Sequence, residues 1–375
     1  MNQTFTIIFL ILVWVISFVE PSGWAMAIHL PEKISWTIAL LAGGCLLISR
    51  NRKLQVPGIL VLLLIVSFII IPVIMADSWQ GAEYLVAFLT VYLAAQGTIT
   101  PKVIAVSGII IAVLGMVVLR IYIFGDTLKG WNDNAISMVG LFSFVYFSMF
   151  LISKKGTAAF WIWNIVTVLY LWLLFKTECR SGMLFAVVAV VCIVYSRTVK
   201  KMLHGPKVRL LLLNLPLILA FVVIFLASSS HFEALDRWSM EANGKGIFDG
   251  RDVLWDNALK LLAKTDYLGT GKFKMNYHNS GVAALSVFGV LGYICWVKYF
   301  SGNIKRLQRH LSDDMVYASL LAFLIIYLQQ AVDLGFISPT PNLIPYAILG
   351  IGLARVRMLQ APTRTYESKC HHTRI

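Results

Sequence analysis

Long apolar runs alternate with short polar connections along almost the whole chain. Runs of about 15 to 20 apolar residues can cross, or nearly cross, the ~30 Å hydrocarbon core of a bilayer as α-helices. The pattern therefore predicts about twelve spans, at residues 5–19, 34–48, 57–75, 84–95, 103–124, 135–153, 157–175, 183–195, 208–227, 282–300, 315–332 and 343–354.

One polar interruption is far longer than the others and divides the chain. We predict transmembrane helices over residues 1–227, an extramembrane loop over 228–281, and further transmembrane helices with a short tail over 282–375. Composition agrees, because 59% of the residues are hydrophobic and 13% are charged, whereas soluble domains carry about 25% charged residues. The expected fold is an all-α, polytopic integral membrane protein.

Two stretches of the loop, 231–242 and 249–264, have the spacing of amphipathic helices, which suit a membrane interface. The predicted apolar face of the second consists of Val253, Leu254, Ala258, Leu261 and Leu262. Beyond it, Gly269 and Gly271 predict a turn whose backbone can come close to a ligand or a partner helix.

The net charge of +14 is distributed unevenly along the chain. Basic residues are concentrated in alternate connections and in the C-terminal tail, so the positive-inside rule places both termini in the cytoplasm and the long loop outside. Arg180 and His278 then lie on the outer side. No basic stripe is interleaved with aromatic residues as nucleic-acid binding requires, so we predict no nucleic-acid partner.

Five cysteines are scattered among the spans without a CxxC pair. Together with the lack of a glycine-rich nucleotide motif, this predicts neither a metal site nor a cofactor. An ATP-driven or nucleotide-sugar reaction inside the cell has no visible site. The chemistry is therefore expected in the membrane or outside it.

Arg180 and His278 are the candidate functional residues of the outer side. A lone arginine there has an ordinary explanation, snorkelling to lipid phosphate, but a guanidinium also binds phosphates in a bidentate manner. His278, at the start of an apolar helix, is either a structural residue or a base, since imidazole accepts protons near neutral pH. With Arg237 and Arg251 on the same side, arginines could stabilise a phosphate leaving group while His278 takes a proton from an attacking hydroxyl.

One of these residues, Arg237, and one acid, Asp333, have further interpretations. Arg237 follows Glu233 at helical spacing, which is typical of a surface pair. Asp333 could orient His278, but its expected role is to end its helix in water.

The residues from His278 onward resemble the signature of the O-antigen ligase family, which O-antigen polymerases and bacterial O-linked oligosaccharyltransferases share. His278 is followed by Asn279, nine residues, and then Gly289 and Gly292. Two further pieces of the signature are matched by Arg180 and Leu184, and by Arg251, Trp255, Ala258, Gly269 and Gly271.

This resemblance implies a GT-C-like glycosyltransferase that needs neither metal nor ATP. It would transfer a finished O-polysaccharide from undecaprenyl pyrophosphate to a sugar hydroxyl of lipid A-core, at the periplasmic face of a Gram-negative inner membrane. Arg180 and Arg251 would bind the pyrophosphate, and His278 would activate the acceptor. Arg237 and Asn279 complete the predicted substrate-binding set, with membrane lipids as the surroundings.

Two other activities stay open. An O-antigen polymerase uses the same half-reaction on another lipid-linked repeat, but commonly has two sizeable periplasmic loops, whereas this chain has one. A transporter of lipid-linked sugars would place ionisable groups at mid-membrane, whereas the embedded polar residues Arg120, Gln329, Gln330 and Asp333 lie towards the outer ends of their spans.

Overall fold

The computed structural model describes residues 3–19, 58–125, 133–153, 156–227, 229–243, 246–247, 250–333, 337 and 341–361. Helix makes up 82% of the structure, and no strand occurs among these residues. The predicted span 34–48 and most of the C-terminal tail lie outside the described residues. An all-helical fold is therefore confirmed for the part of the chain that is described.

Fifteen α-helices are described, in this order: α1 (Gln3–Val19), α2 (Gly58–Ile65), α3 (Ile71–Ala76), α4 (Ala82–Ala95), α5 (Pro101–Phe124), α6 (Asp133–Ser153), α7 (Thr157–Lys176), α8 (Arg180–Val194), α9 (Ser196–Leu203), α10 (Pro206–Ala227), α11 (Ser230–Asn243), α12 (Arg251–Ala263), α13 (Ser280–Gln308), α14 (Asp314–Gln329) and α15 (Ile344–Gln360). A π-helical turn, Val66–Ile70, joins α2 to α3.

The described helices are compatible with a membrane protein, but the count of about twelve spans is not confirmed. Four of them, α5, α7, α10 and α13, and the continuous helical run from Ile59 to Ala76 are long and apolar enough to cross a bilayer. The pair α8 and α9, bent by 95°, adds a sixth if it forms one broken span. Helices α1, α4 and α14 are apolar but shorter. Large apolar side chains also point outward, among them Trp161, Val168 and Phe225, which are 61%, 67% and 76% exposed. In water such faces would be costly, whereas lipid accommodates them.

Helices α13, α14 and α15 form the centre of the molecule, with most of their side chains buried. Close helix contacts there depend on small residues: a Cβ on Gly350 of α15 would lie 2.4 Å from the carbonyl oxygen of Val91 in α4. Membrane helices commonly pack through such small residues, which let the backbones approach. The central helices therefore provide a rigid support for the segments at their ends.

The two predicted loop helices are present as α11 and α12, and the apolar face predicted for α12 is only partly buried. Its buried residues are Trp255, Ala258 and Leu262, whereas Val253 is 59% exposed. Helix α12 packs against α10 and α13, so the bulky indole is covered by protein and Val253 points away. This packing connects the loop to the start of α13.

Candidate functional site

The start of α13 is held by Asn279, which is fully buried. Its Oδ1 accepts the backbone N–H of Val282 at 2.9 Å and caps the helix, and its Nδ2 donates to the carbonyl oxygens of Pro216 and Ala331, both at 2.8 Å. An amide with these partners supports the chain at the junction of three segments. The geometry gives Asn279 a structural role in place of the predicted substrate contact.

His278, directly before this cap, has a left-handed backbone, with φ 46°. Non-glycine residues rarely adopt this conformation, and when they do the surrounding structure usually enforces it. Two contacts of the following residues enforce it here. One is the helix cap at Asn279, and the other is the hydrogen bond that the backbone N–H of Ser280 donates to the carbonyl of Gln330 at 2.9 Å. The direction of the imidazole is thus set by the two residues that follow it.

The imidazole of His278 lies beside a buried carboxylate. Its Nδ1 is 4.0 Å from Oδ1 of Asp333, and the two side chains are 26% and 8% exposed. Gln329 lies one turn before Asp333 in the chain, and its amide donates to Oδ2 of Asp333 at 3.1 Å. The expectation that Asp333 ends its helix in water is wrong, because the end of α14 is enclosed by the start of α13.

The exposed part of the His278 ring is not the atom that faces Asp333. Nδ1 is buried, so the 26% exposure of the side chain belongs to its other atoms. In a neutral imidazole one nitrogen carries the proton and the other accepts one. A carboxylate that hydrogen-bonds to Nδ1 fixes the proton on that nitrogen and leaves Nε2 as the acceptor, and at 4.0 Å Asp333 is placed to do so after a small approach.

The glycine turn at Gly269 and Gly271 lies against a partner helix, α13, as predicted. Gly289 interrupts α13 with φ 68°, and the turn bonds to the backbone that this break exposes. The N–H groups of Thr270 and Gly271 donate to the carbonyls of Ser286 and Val287 at 2.8 and 2.9 Å. A Cβ on Gly269 would lie 2.4 Å from the nitrogen of Gly289, so only glycine fits.

Trp255 brings α12 to the same place. Its indole N–H donates to the carbonyl of Tyr277 at 2.6 Å, one residue before His278. Arg251 lies four residues earlier, on the same face of α12, and its side chain is partly exposed. The structure therefore brings Arg251 within about a helical turn of the contact that holds the His278 segment.

The ring of Tyr277 is buried beneath this segment. Burial raises the pKa of Tyr277, partly offset by its hydrogen bond with Ser286. The phenol therefore stays neutral at physiological pH and serves to pack the segment.

Arg180 begins α8 and is exposed. A series of contacts places it at the same end of the helices as His278: Gly182 packs against the hydroxyl of Ser137 in α6, and Met138, the next residue, contacts the amide of Gln330 at 3.9 Å. Gln330 in turn bonds to the start of α13. The starts of α8 and α13 are thus linked, which places Arg180 and His278 at the same end of the molecule.

Arg237 is not brought to this place by any contact within the described residues. It is exposed on α11, and its Nε donates to the backbone carbonyl of Glu233 at 3.3 Å. The bond is local, within one helical turn. The predicted pairing with Glu233 is therefore present as a backbone contact, and the predicted role of Arg237 in substrate binding has no geometric support.

Sequence reasoning undervalued Asp333 and Gln329, which complete the surroundings of His278. The available signal was a cluster of polar side chains, Gln329, Gln330 and Asp333, at the end of an otherwise apolar run, since such residues in membrane segments are costly and commonly functional.

No family model matches this sequence, and no curated protein matches it either.

Proposed function

We propose that this protein is an O-antigen ligase. It transfers an undecaprenyl-pyrophosphate-linked O-polysaccharide to a sugar hydroxyl of lipid A-core at the periplasmic face of the inner membrane. The observation that carries the proposal is the partly exposed imidazole of His278, held in a left-handed conformation beside the buried carboxylate of Asp333. An imidazole fixed in this way is suited to act as a general base.

In the proposed step, Nε2 of His278 accepts the proton of the acceptor hydroxyl. The hydroxyl oxygen then forms a bond to the anomeric carbon of the donor, and the bond from that carbon to the pyrophosphate oxygen breaks. Undecaprenyl pyrophosphate leaves with the electron pair. Asp333 stabilises the imidazolium that forms, since the two side chains are 4.0 Å apart in a largely buried setting.

The leaving pyrophosphate gains negative charge, which arginines can stabilise by bidentate hydrogen bonds. Two positions support this role. Arg251 lies one helical turn from the contact between Trp255 and Tyr277, and Arg180 is exposed at the same end of the helices. The two arginines come from α8 and α12, so a pyrophosphate bound by both would be fixed across two elements.

The test uses a strain lacking this gene, complemented with the wild type, with His278→Ala or with His278→Gln. Lipopolysaccharide is resolved on gels, and lipid-linked polymer is measured in the same cells. We expect both variants to insert normally, to leave lipid A-core bare and to accumulate long polymer on undecaprenyl pyrophosphate. Loss of a general base corresponds to ~10² to 10⁴ in rate.

A matched control is His310→Ala, since His310 lies in the turn before α14, at the opposite end of that helix from Asp333. This variant should support normal capping. Normal capping by His278→Ala would contradict the proposal. Lipid A-core carrying single repeat units in the deletion strain would instead identify a polymerase.

A further inference from the structure

The segment that leads to His278 exposes every second side chain. Lys272, Lys274 and Asn276 are exposed, whereas Phe273 and Met275 between them are partly buried. The pattern places two lysines and an amide on one face of the segment. Because the face ends next to His278, its charge is directly relevant to whatever reaches the imidazole.

The inner side of this segment is anchored. The backbone N–H of Phe273 donates to Oε1 of Gln80 at 3.2 Å. Its ring contacts the rings of Tyr277 and Phe288, with centroids 6.0 and 6.5 Å apart. The lysines are therefore carried by a fixed backbone, although their side chains extend into solvent.

These two lysines differ from Lys260, a third lysine of the loop, in having no acidic partner among the described residues. Within the described part of the chain neither Lys272 nor Lys274 has a carboxylate within 4.0 Å, whereas Lys260 of α12 pairs with Asp256 at 2.5 Å. An exposed ammonium group that no protein acid neutralises attracts anions. The face defined by Lys272, Lys274 and Asn276, termed here the lysine face, is thus a positive surface.

The lysine face is within reach of the reacting groups. Lys274 lies four positions before His278, so their Cα atoms are at most about 14 Å apart. The backbone N–H of His278 also contacts Oδ1 of Asn276 at 3.5 Å. A glycolipid headgroup of a few sugars is long enough to contact the lysines and present a hydroxyl to the imidazole.

We infer that the lysine face binds the anionic headgroup of the acceptor glycolipid, through its phosphate or carboxylate groups. This inference rests on the proposed function, which requires two anionic lipids to meet at one base. The arginines Arg180 and Arg251 belong to other elements and serve the donor pyrophosphate. The lysines lie on the chain segment of the base itself and position the acceptor hydroxyl.

The experiment measures initial rates with purified protein in nanodiscs, using lipid-linked polymer as donor and O-antigen-free lipopolysaccharide as acceptor. The double variant Lys272→Gln/Lys274→Gln should raise KM for the acceptor about 25-fold, since each basic residue near an anionic lipid surface contributes about a factor of five and two are removed. The kcat and the donor KM should stay unchanged. The matched control, Lys260→Gln/Lys264→Gln, removes the same charge from the same loop and should leave the acceptor KM unaltered.

A binding measurement separates this inference from the proposed function. Phosphorylated lipid A and its phosphatase-treated form serve as probes, with Kd measured on the same nanodiscs. We expect the double variant to lose most of the preference for the phosphorylated probe. Equal Kd values for the double variant and the control would overturn the inference that the lysine face binds the acceptor. Lysine-dependent binding without any transfer by the wild type would instead overturn the proposed function, and the lysine face would remain a binding site.

Discussion

The two ends of α14 hold their charges in different ways. At its start, Asp313 accepts two hydrogen bonds from the guanidinium of Arg355 at 3.0 and 2.7 Å and caps the helix through the N–H groups of Met315 and Val316. Next to it, Lys200 bonds to Asp314 at 2.7 Å. Every one of these contacts is short.

At the other end of α14 the geometry is looser and more strained. Asp333 and His278 are 4.0 Å apart, His278 has a left-handed backbone, and α13 is broken at Gly289. Strain of this kind persists only where the surroundings enforce it and is concentrated at functional sites. One end of α14 is closed by short ion pairs, whereas the other leaves a partly exposed imidazole beside a buried carboxylate, which is the arrangement that the proposed function requires.

The largest effect is expected from Gly289→Ala, which acts on the strained end. A new Cβ would lie 2.4 Å from the carbonyl oxygen of Leu268 and 2.5 Å from that of Tyr267, at a φ of 68°. Backbone strain and overpacking together should cost about 3 kcal/mol of unfolding free energy. Thermal unfolding in detergent measures the loss.

Gly302 offers a matched control in the same helix. No atom lies within 4 Å of a Cβ built there, and alanine is favoured over glycine in a helix interior by about 1 kcal/mol. Gly302→Ala should therefore stabilise the protein slightly. A Gly289→Ala variant as stable as Gly302→Ala would show that the break in α13 is not enforced.

The next effect is that of Asp333→Asn on turnover. The amide keeps an acceptor for Gln329 but no longer stabilises an imidazolium, so kcat should fall about 10²-fold, or ~2.7 kcal/mol in activation free energy. The donor KM should stay the same, because Asp333 is buried and its proposed role is to stabilise the imidazolium of His278, not to contact the donor. Steady-state kinetics in nanodiscs distinguish the two parameters.

Asp313→Asn is the counterpart at the other end of α14. It should lower stability and leave kcat unchanged. If Asp333→Asn instead turned over at the wild-type rate while losing stability, both ends would be structural and the contrast between them would disappear.

Hydropathy was sufficient to predict an all-helical fold for the described part of the chain, because apolar runs of this length leave few alternatives to helix. It did not fix the number of spans, since five or six of the described helical stretches are long and apolar enough to cross a bilayer. The two loop helices and the glycine turn also followed from spacing. The predicted apolar face of α12 did not show which residues would be buried, because the burial of Trp255 and the exposure of Val253 depend on the partner surface. That surface comes from α10 and α13, which are distant in the sequence.

The candidate site was predictable in part. His278 and Arg251 were identified from their positions in the chain, but the carboxylate next to His278 comes from Asp333, 55 residues later, and no local pattern specifies that contact. The same limitation explains Asn279, whose polar side chain suggested a substrate contact. Only the fold shows that its amide bonds to Pro216 and Ala331.

Asn279→Ala tests how firmly the His278 segment is held. The variant loses the helix cap and leaves two buried carbonyl oxygens without their donor, which should cost about 2 kcal/mol. Asn279→Ser keeps a capping oxygen and should lose about half as much. Unfolding curves in detergent rank the three proteins, and equal stability of all three would contradict the structural role of Asn279.

The smallest effect is that of Asp313→Asn on stability, and its pH dependence has a defined sign. Burial alone would raise the pKa of Asp313, but the hydrogen bond from Arg355 and the N–H groups of Val316 and Met315 outweigh it and hold the pKa below the usual value. Asparagine keeps the cap but loses the charge, so the variant should be less stable by about 1 kcal/mol at neutral pH.

Because the folded-state pKa of Asp313 is depressed, its stabilisation is complete above the unfolded value of about 3.9 and is lost as pH falls through the lower folded value. The difference in Tm between the wild type and Asp313→Asn should therefore be constant from about pH 7 to pH 5 and shrink below about pH 4. A difference that grew on acidification would mean that the carboxylate is protonated more readily in the folded protein, and the start of α14 would then share the incomplete electrostatics of its other end.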